Sequence, residues 1–110
     1  MTAPDIQTLV QTANAARQKG DFAGARKALG TALAQSPDNP GLLNSLGVLE
    51  HDAGQFADAV DWYRRAIAAD ANAPVLWLNL AKTLRSAEDE AGELQALDAA
   101  AVVHVDLAKQ

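Results

Sequence analysis

The chain contains 110 residues, has no cysteine and carries a formal net charge of −5. The lack of cysteine excludes disulfides, thiolate metal sites and thiol catalysis, and the acidic balance argues against nucleic acid as a partner, because phosphate binding depends on clustered Lys and Arg. Alanine dominates the apolar residues while aromatics make up only 5%, which favours closely packed helices over a sheet. No stretch approaches the roughly 20 apolar residues that span a bilayer, and nothing near Met1 resembles a signal peptide, so we expect one cytoplasmic domain without membrane contact over residues 1–110.

The first predicted hairpin begins with a helix that Gly20 ends. Thr2 and Asp5 have the three-residue spacing of a capping box, and Pro4 fits the first turn of that helix. Asp21 is placed to cap the second helix. The apolar residues of the second helix recur at spacings of three and four and so line one face, which we expect to meet the first helix: Phe22, Ala25, Leu29, Ala32 and Leu33.

The second and third hairpins begin with similar signals. Asn39 is placed to cap a third helix and Pro40 to occupy its first position, and Asn72 with Pro74 repeats this arrangement. Gly47 lies inside the third helix, at a cost near 1 kcal/mol relative to alanine, so we expect a partner helix to cross there at close range. The predicted helices run from about Pro40 to Ala53, from about Phe56 to Asp70, from about Ala73 to Ala87, and from about Asp89 toward the C-terminus.

An interval of 34 residues relates the three hairpins to one another. It separates Gly20 from Gly54, Phe22 from Phe56, Leu43 from Trp77, and Leu46 from Leu80. One hairpin of such an array cannot bury its own apolar face, so neighbours stack into a continuous core with an open, curved surface. We therefore predict an all-α solenoid of three helical hairpins and six helices, at about 5–38, 39–72 and 73–110, with the last helix extended.

The middle hairpin carries the most complete set of spaced residues: Leu43, Leu46, Gly47, Ala59, Tyr63 and Ala66. These spacings resemble the tetratricopeptide repeat. The resemblance extends over nearly the whole chain, and it implies a right-handed solenoid that acts as a non-catalytic module and binds a protein or peptide on its concave face.

Several positions depart from the family pattern. Glu50 stands where an aromatic residue is usual, and Ala71 replaces the closing proline of the second unit. In the third unit, Glu88 replaces the turn glycine and Glu93 replaces a small alanine. The second helix of the third hairpin is therefore the least regular of the six.

The resemblance also implies a binding site, because first helices of successive hairpins line the concave face in this family. Carrying that geometry over by register gives a polar strip, which we call the concave strip: Asn14, Arg17, Asn44, His51, Asn79, Lys82 and Arg85. Asparagine amides both donate and accept hydrogen bonds, which suits them to a peptide backbone, and the basic members can meet a carboxylate. We expect an acidic or C-terminal peptide segment as the ligand; the alternative is that these are ordinary solvated positions.

A narrower resemblance suggests a second function. The segments Trp77–Lys82 and Glu93–Asp98 look like the helical repeats that precede the catalytic domain in bacterial aspartyl/asparaginyl hydroxylase-like proteins. On that interpretation the chain is a substrate-recruiting region of a 2-oxoglutarate-dependent enzyme. His104 and Asp106 match half of a non-haem iron triad, but no further histidine follows them and His51 belongs to another hairpin, so we expect no metal, cofactor or catalytic residue here.

A third interpretation is a structural oligomerisation element. Solenoids usually finish with a polar cap, whereas the last predicted helix carries Val102, Val103, Val105 and Leu107. This apolar end suggests self-association through the C-terminal helix. Trp62 is a second candidate for an outer contact, although packing against the neighbouring hairpin is the simpler role.

Overall fold

A computed structural model describes residues 4–108, with side chains described for residues 4–104. That part of the chain contains helices and no strand. The predicted all-α solenoid is confirmed, and the boundaries predicted for the third to fifth helices, with the start of the sixth, lie within about two residues of those observed. The helices are α1 (Ile6–Gln18), α2 (Phe22–Gln35), α3 (Pro40–Asp52), α4 (Phe56–Ala69), α5 (Pro74–Ser86) and α6 (Glu90–Ala108).

Two of the predicted caps form as expected at the starts of α2 and α3. The Asp21 carboxylate accepts a hydrogen bond from the Gly24 amide at 2.9 Å, and the Asn39 side chain accepts one from the Gly41 amide at 2.9 Å. Pro40 occupies the first turn of α3. These caps satisfy amide groups that a helix start leaves without an intrahelical partner, one at Asp21 and two at Asn39, which also accepts from the Leu42 amide at 3.3 Å.

Two other predicted helix starts are wrong in detail. Asp5 is itself the cap of α1, because its carboxylate reaches the Thr8 amide at 2.7 Å, so Pro4 precedes the helix instead of lying in its first turn. Thr2, the other half of the proposed capping box, lies outside the described residues. Before α5 the cap position falls on Ala73, which has no capping side chain, and the Asn72 amide donates to Asp70 Oδ1 at 3.2 Å instead.

The six helices form three antiparallel pairs that follow one another in a row. Within each pair, α1 packs on α2, α3 on α4, and α5 on α6, while α2 meets α3 and α4 meets α5 between pairs. The odd-numbered helices also approach one another, α1 to α3 and α3 to α5, but in the described part of the chain no contact joins α2 to α4 or α4 to α6. The row therefore curves with α1, α3 and α5 on its inner side.

Two clusters of buried side chains make the core. The first is formed mainly by α1 and α2 with Leu42, Leu46 and Leu49 of α3, and the second by α4 and α5 with Leu43 and Ala96. Leu33 and Trp62 pack against both clusters, and so join them into one apolar seam. Packing against the neighbouring hairpin is thus the role of Trp62.

Gly47 marks the close crossing that its position predicted. A Cβ atom added there would lie 2.7 Å from both Cδ1 and Cζ of Tyr63, a distance that real Cβ contacts do not show. Tyr63 is 2% exposed. The absence of a side chain on α3 therefore lets the aromatic ring of α4 lie directly against the helix backbone.

The turns inside the three hairpins share one backbone conformation. Gly20 and Gly54 have φ of 79° and 78°, and Glu88 has a φ of 62° at the equivalent position of the third hairpin. A left-handed φ suits glycine and is unfavourable for a residue with a Cβ atom. Glu88 accordingly keeps the geometry of the turn at a conformational cost.

Candidate functional site

The seven residues of the concave strip all lie on the inner helices. Asn14 and Arg17 are on α1, Asn44 and His51 on α3, and the remaining three on α5: Asn79, Lys82 and Arg85. Their arrangement within that surface is uneven, because five of them are engaged by other side chains of the protein.

An amide pair joins the middle of the strip. Asn79 Nδ2 donates a hydrogen bond to Asn44 Oδ1 at 2.9 Å, which ties α5 to α3. Each side chain keeps unused capacity: the amide group of Asn44 can still donate, and the carbonyl oxygen of Asn79 can still accept. That combination of one donor and one acceptor matches the two polar groups of a peptide unit.

His51 is fixed from two sides. Its Nδ1 atom lies 2.8 Å from Thr83 Oγ1, and its ring meets Phe56 edge-on with centroids 5.3 Å apart. Thr83 is fully buried and also bonds to the Tyr63 hydroxyl. Burial raises the pKa of Tyr63 to about 12, and the bond to Thr83 opposes that shift. His51 therefore presents a rigid ring edge to the surface.

Two of the three basic residues already have carboxylate partners. Arg17 donates to Asp52 Oδ2 at 2.6 Å, which links α1 to α3. Arg85 donates through Nε to Glu93 Oε1 at 2.7 Å, which links α5 to α6 and raises the pKa of Arg85. Lys82 differs from both, because no carboxylate of residues 4–104 lies within 4 Å of its ammonium group.

A small depression brings part of the strip together. It has a volume of about 40 Å³ and lies between α3, α4 and α5, lined by Val48, His51, Asp52, Tyr63, Asn79 and Lys82. Asn14 and Arg17 lie outside it on α1, and Arg85 is turned toward α6 through its ion pair. The predicted residues thus form one compact group around Lys82 and two separate ends.

Apolar members of this surface were not included in the predicted strip. Val75 and Leu78 on α5 are 54% and 49% exposed, and Val48 lines the small depression. The register could have revealed Val48, because 34 residues separate it both from Asn14 and from Lys82. The inner surface is therefore mixed, with apolar side chains between the amides and the ammonium group.

Comparison with known proteins settles the family. The family model for the tetratricopeptide repeat matches residues 10–74, more than half of the chain. The chain belongs to the tetratricopeptide repeat family. Proteins built from this repeat are generally interaction modules that bind other proteins, so this protein has the architecture of such a module. No curated protein shows significant similarity to the chain.

Solved structures with the same architecture come from several contexts. A mutant O-GlcNAc transferase of Thermobaculum terrenum aligns with 96% of this chain and 21% of its own, at 28% identity and a TM-score of 0.78. MamA aligns with 91% of this chain and 55% of its own, at 23% identity and a TM-score of 0.79. The globular C-terminal domain of P. aeruginosa LpoP aligns with 91% of this chain and 98% of its own, at 24% identity and a TM-score of 0.81.

These alignments show the fold. The chain spans about a fifth of the transferase and about half of MamA. Across residues 4–108, no helix has both the length and the hydropathy that crossing a membrane requires.

The remaining candidates from the sequence fall at the C-terminal end. His104 is exposed, and the side chain of Asp106 lies outside the described residues, as do those of Val105 and Leu107. Val102 is 59% exposed. Self-association through this helix stays a prediction.

Proposed function

We propose that this protein binds an extended peptide segment of a partner protein across the concave strip, with a peptide carboxylate beside Lys82. The proposal depends on which basic residues of the concave strip already have a carboxylate partner. Arg17 and Arg85 are each held by a carboxylate, whereas Lys82 is exposed and has no such partner in residues 4–104. An acidic side chain or a C-terminal carboxylate would gain an ion pair at Lys82 without breaking an existing one.

The amide pair supports recognition of an extended backbone. Asn44 and Asn79 hold each other in place at 2.9 Å and still offer one donor and one acceptor to a ligand. Because the two side chains are already ordered, binding a peptide unit costs little additional side-chain entropy. Backbone recognition of this kind is independent of peptide sequence and accounts for affinity common to all ligands.

The exposed apolar residues of α5 supply a contact for a peptide side chain. Val75 and Leu78 are both about half exposed, and they lie two turns and one turn, respectively, before Lys82 on the same helix. A ligand with an apolar residue a few positions from its carboxylate would cover them. We propose that residues 1–110 act as one such binding domain; the hydroxylase-like and oligomerisation interpretations stay predictions.

A synthetic peptide array tests this function directly. The probes are heptapeptides with free C-terminal carboxylates, each paired with the same sequence as a C-terminal amide. We expect the best free-acid peptides, measured by fluorescence anisotropy, to bind at micromolar strength, which corresponds to about −8 kcal/mol. Their amide forms should bind about tenfold more weakly. Lys82→Ala should remove that difference, because it removes the group that distinguishes the two forms.

Two variants separate specific binding from general charge attraction. Lys27→Ala removes the same charge from an exposed position on the outer helix α2 and should leave affinity unchanged. Asn79→Ala should weaken acid and amide peptides alike, since it removes the backbone contact. Equal losses from Lys27→Ala and Lys82→Ala, or an array with no peptide bound below millimolar concentration, would refute the proposal.

A further inference from the structure

The outer side of the protein contains two equivalent surfaces 34 residues apart. The first groove is a depression of about 320 Å³ over α3 and α4, lined by Glu50, Asp58, Asp61, Trp62 and Arg65. The second groove is a cavity of about 260 Å³ between α4, α5 and α6. Its walls include four residues at the positions of the first: Leu84, Gly92, Gln95 and Ala96. Repeat symmetry therefore makes the two grooves directly comparable.

The protein places its own tryptophan in the first groove. Trp62 projects from α4, packs against both core clusters, and carries the Arg65 guanidinium 4.8 Å from its ring centroid. Three carboxylates surround it, and Glu50 is bound by Arg26 of α2 at 2.9 Å. The first groove is therefore filled at its base by an aromatic side chain and acidic at its rim.

The second groove lacks that side chain because Ala96 stands where Trp62 stands in the first. The cavity of the second groove is floored by apolar residues of α5, Trp77, Leu80 and Leu84, and closed on the α4 side by Ile67. The Trp77 indole is fixed by its hydrogen bond to the Ala71 carbonyl at 3.2 Å, so it does not turn into the empty space. What remains is a preformed apolar recess beside a helix pair.

The rim of the second groove carries a basic residue, whereas the rim of the first groove is acidic. Arg64 lines the cavity and is exposed, and no carboxylate of residues 4–104 lies within 4 Å of its guanidinium. On the α6 side, Gly92 and Gln95 replace the two aspartates of the first groove, and Glu93 is bound to Arg85. An arginine at the rim of an apolar recess is complementary to a carboxylate attached to an apolar or aromatic group.

We infer that the second groove binds a large aromatic side chain of a partner polypeptide, flanked by an acidic residue that pairs with Arg64. The first groove shows that this position of the repeat accommodates a tryptophan of the hairpin itself, and the second groove has Ala96 there instead. A polypeptide ligand agrees with the family, whose members bind other proteins. This surface is on the opposite side from the concave strip and is independent of it.

Titration with tetrapeptides measures this binding. The probe is the acetylated and amidated peptide Ala-Asp-Trp-Ala, compared with Ala-Asn-Trp-Ala and Ala-Asp-Ala-Ala, and the signals followed by NMR are the Gly92 amide and the Trp77 indole N–H. We expect saturable shifts of both signals with the first peptide, about fivefold weaker binding of the asparagine form, and no saturation with the peptide that lacks tryptophan. Uniform small shifts across the protein with all three peptides would overturn the inference.

Substitutions locate the binding site. Ala96→Trp places an indole in the recess from within and should abolish peptide binding. If this variant does not fold, Ala96→Leu replaces it: the leucine fills the recess partly and should weaken binding. Arg64→Gln should make the aspartate and asparagine peptides bind equally. Lys82→Ala should change nothing, which separates this site from the concave strip. Retention of full affinity in both Ala96 variants would overturn the inference, as would equally tight binding of free N-acetyl-tryptophan, which would indicate a small-molecule pocket.

Discussion

The second and third hairpins have the same backbone and use it differently. In the second hairpin the large side chains pack inside the protein, and the turn has glycine where a left-handed φ is required. The third hairpin has small or aliphatic residues at the same places and a strained turn. Residues 34 apart differ at four positions that decide this: Glu50 and Leu84, Gly54 and Glu88, Trp62 and Ala96, Tyr63 and Leu97.

The comparison shows that the repeat fixes the position of a side chain on its helix but does not fix whether that side chain is buried or exposed. Tyr63 is 2% exposed against the Gly47 backbone, whereas Leu97 is 37% exposed in the same helix position. The same position of the repeat therefore serves internal packing in the second hairpin and is partly exposed in the third.

The largest expected effect comes from removing the tryptophan that joins the two core clusters. Trp62→Ala should lower the free energy of unfolding by about 3 kcal/mol, at the low end for a tryptophan truncation because the side chain is partly exposed. Urea denaturation measures it. Leu94→Ala, at a position that is 63% exposed, is the control and should cost less than about 0.5 kcal/mol. Equal losses in both variants would show that Trp62 does not bridge the clusters.

The buried phenol gives the second hairpin a pH dependence that the third lacks. Burial raises the pKa of Tyr63 from 10.0 to about 12. The unfolded chain then loses this proton near pH 10, while the folded protein keeps it to about pH 12, so the stabilisation is complete below pH 10 and disappears as pH rises to 12. The loss should approach about 2.7 kcal/mol, since one pKa unit corresponds to about 1.4 kcal/mol.

Comparison with Tyr63→Phe isolates that contribution from the titration of lysines in the same pH range. The difference in the free energy of unfolding between wild type and variant should shift steadily from pH 9.5 to 11.5 in favour of the variant. A constant difference over that range would mean that the hydroxyl is as accessible to solvent in the folded protein as in the unfolded chain.

The ion pair between Arg26 of α2 and Glu50 of the second hairpin can be replaced by an apolar residue like the one in the third hairpin. Arg26 donates to Glu50 at 2.9 Å, and Glu50 is 8% exposed, so Arg26→Ala leaves a nearly buried carboxylate without its cation. We expect a loss of about 1.5 kcal/mol, reduced because Arg26 itself is largely exposed. The double variant with Glu50→Leu, which copies Leu84, should recover most of this loss in thermal unfolding. A double variant less stable than Arg26→Ala would contradict the account.

Much of the fold could be predicted from the sequence because its determinants are local or periodic. The caps at Asp21 and Asn39 depend on residues two or three positions away, and the 34-residue interval fixes the order of the hairpins. Gly47 predicted a close crossing because glycine destabilises a helix interior, and close packing against a partner helix offsets that cost. The two wrong helix starts have different causes: Asp5 caps α1 itself, and before α5 the cap position falls on Ala73, one residue after Asn72.

The candidate site was only partly predictable, for a different physical reason. The register places Arg17, Lys82 and Arg85 on inner helices, yet which of them is paired depends on carboxylates from other helices. Asp52 is 35 positions from Arg17, and no local sequence pattern predicts that ion pair. The second groove is harder still to predict, because its lining comes from α4, α5 and α6 together and becomes visible only when equivalent positions are compared in three dimensions.

The smallest expected effect is a gain in stability at the turn of the third hairpin. Glu88 has a φ of 62°, where Gly20 and Gly54 have 79° and 78°, so Glu88→Gly should remove the steric cost of a Cβ atom in the left-handed region. We expect an increase of about 1 kcal/mol in the free energy of unfolding, measured by urea denaturation. Glu88→Ala removes the carboxylate and keeps the Cβ atom, so it should change little. Gly54→Ala should have the opposite sign and a similar size. If Glu88→Ala stabilises as much as Glu88→Gly, the cost comes from charge among the neighbouring carboxylates, and the third hairpin would differ from the second in electrostatics and not in backbone strain.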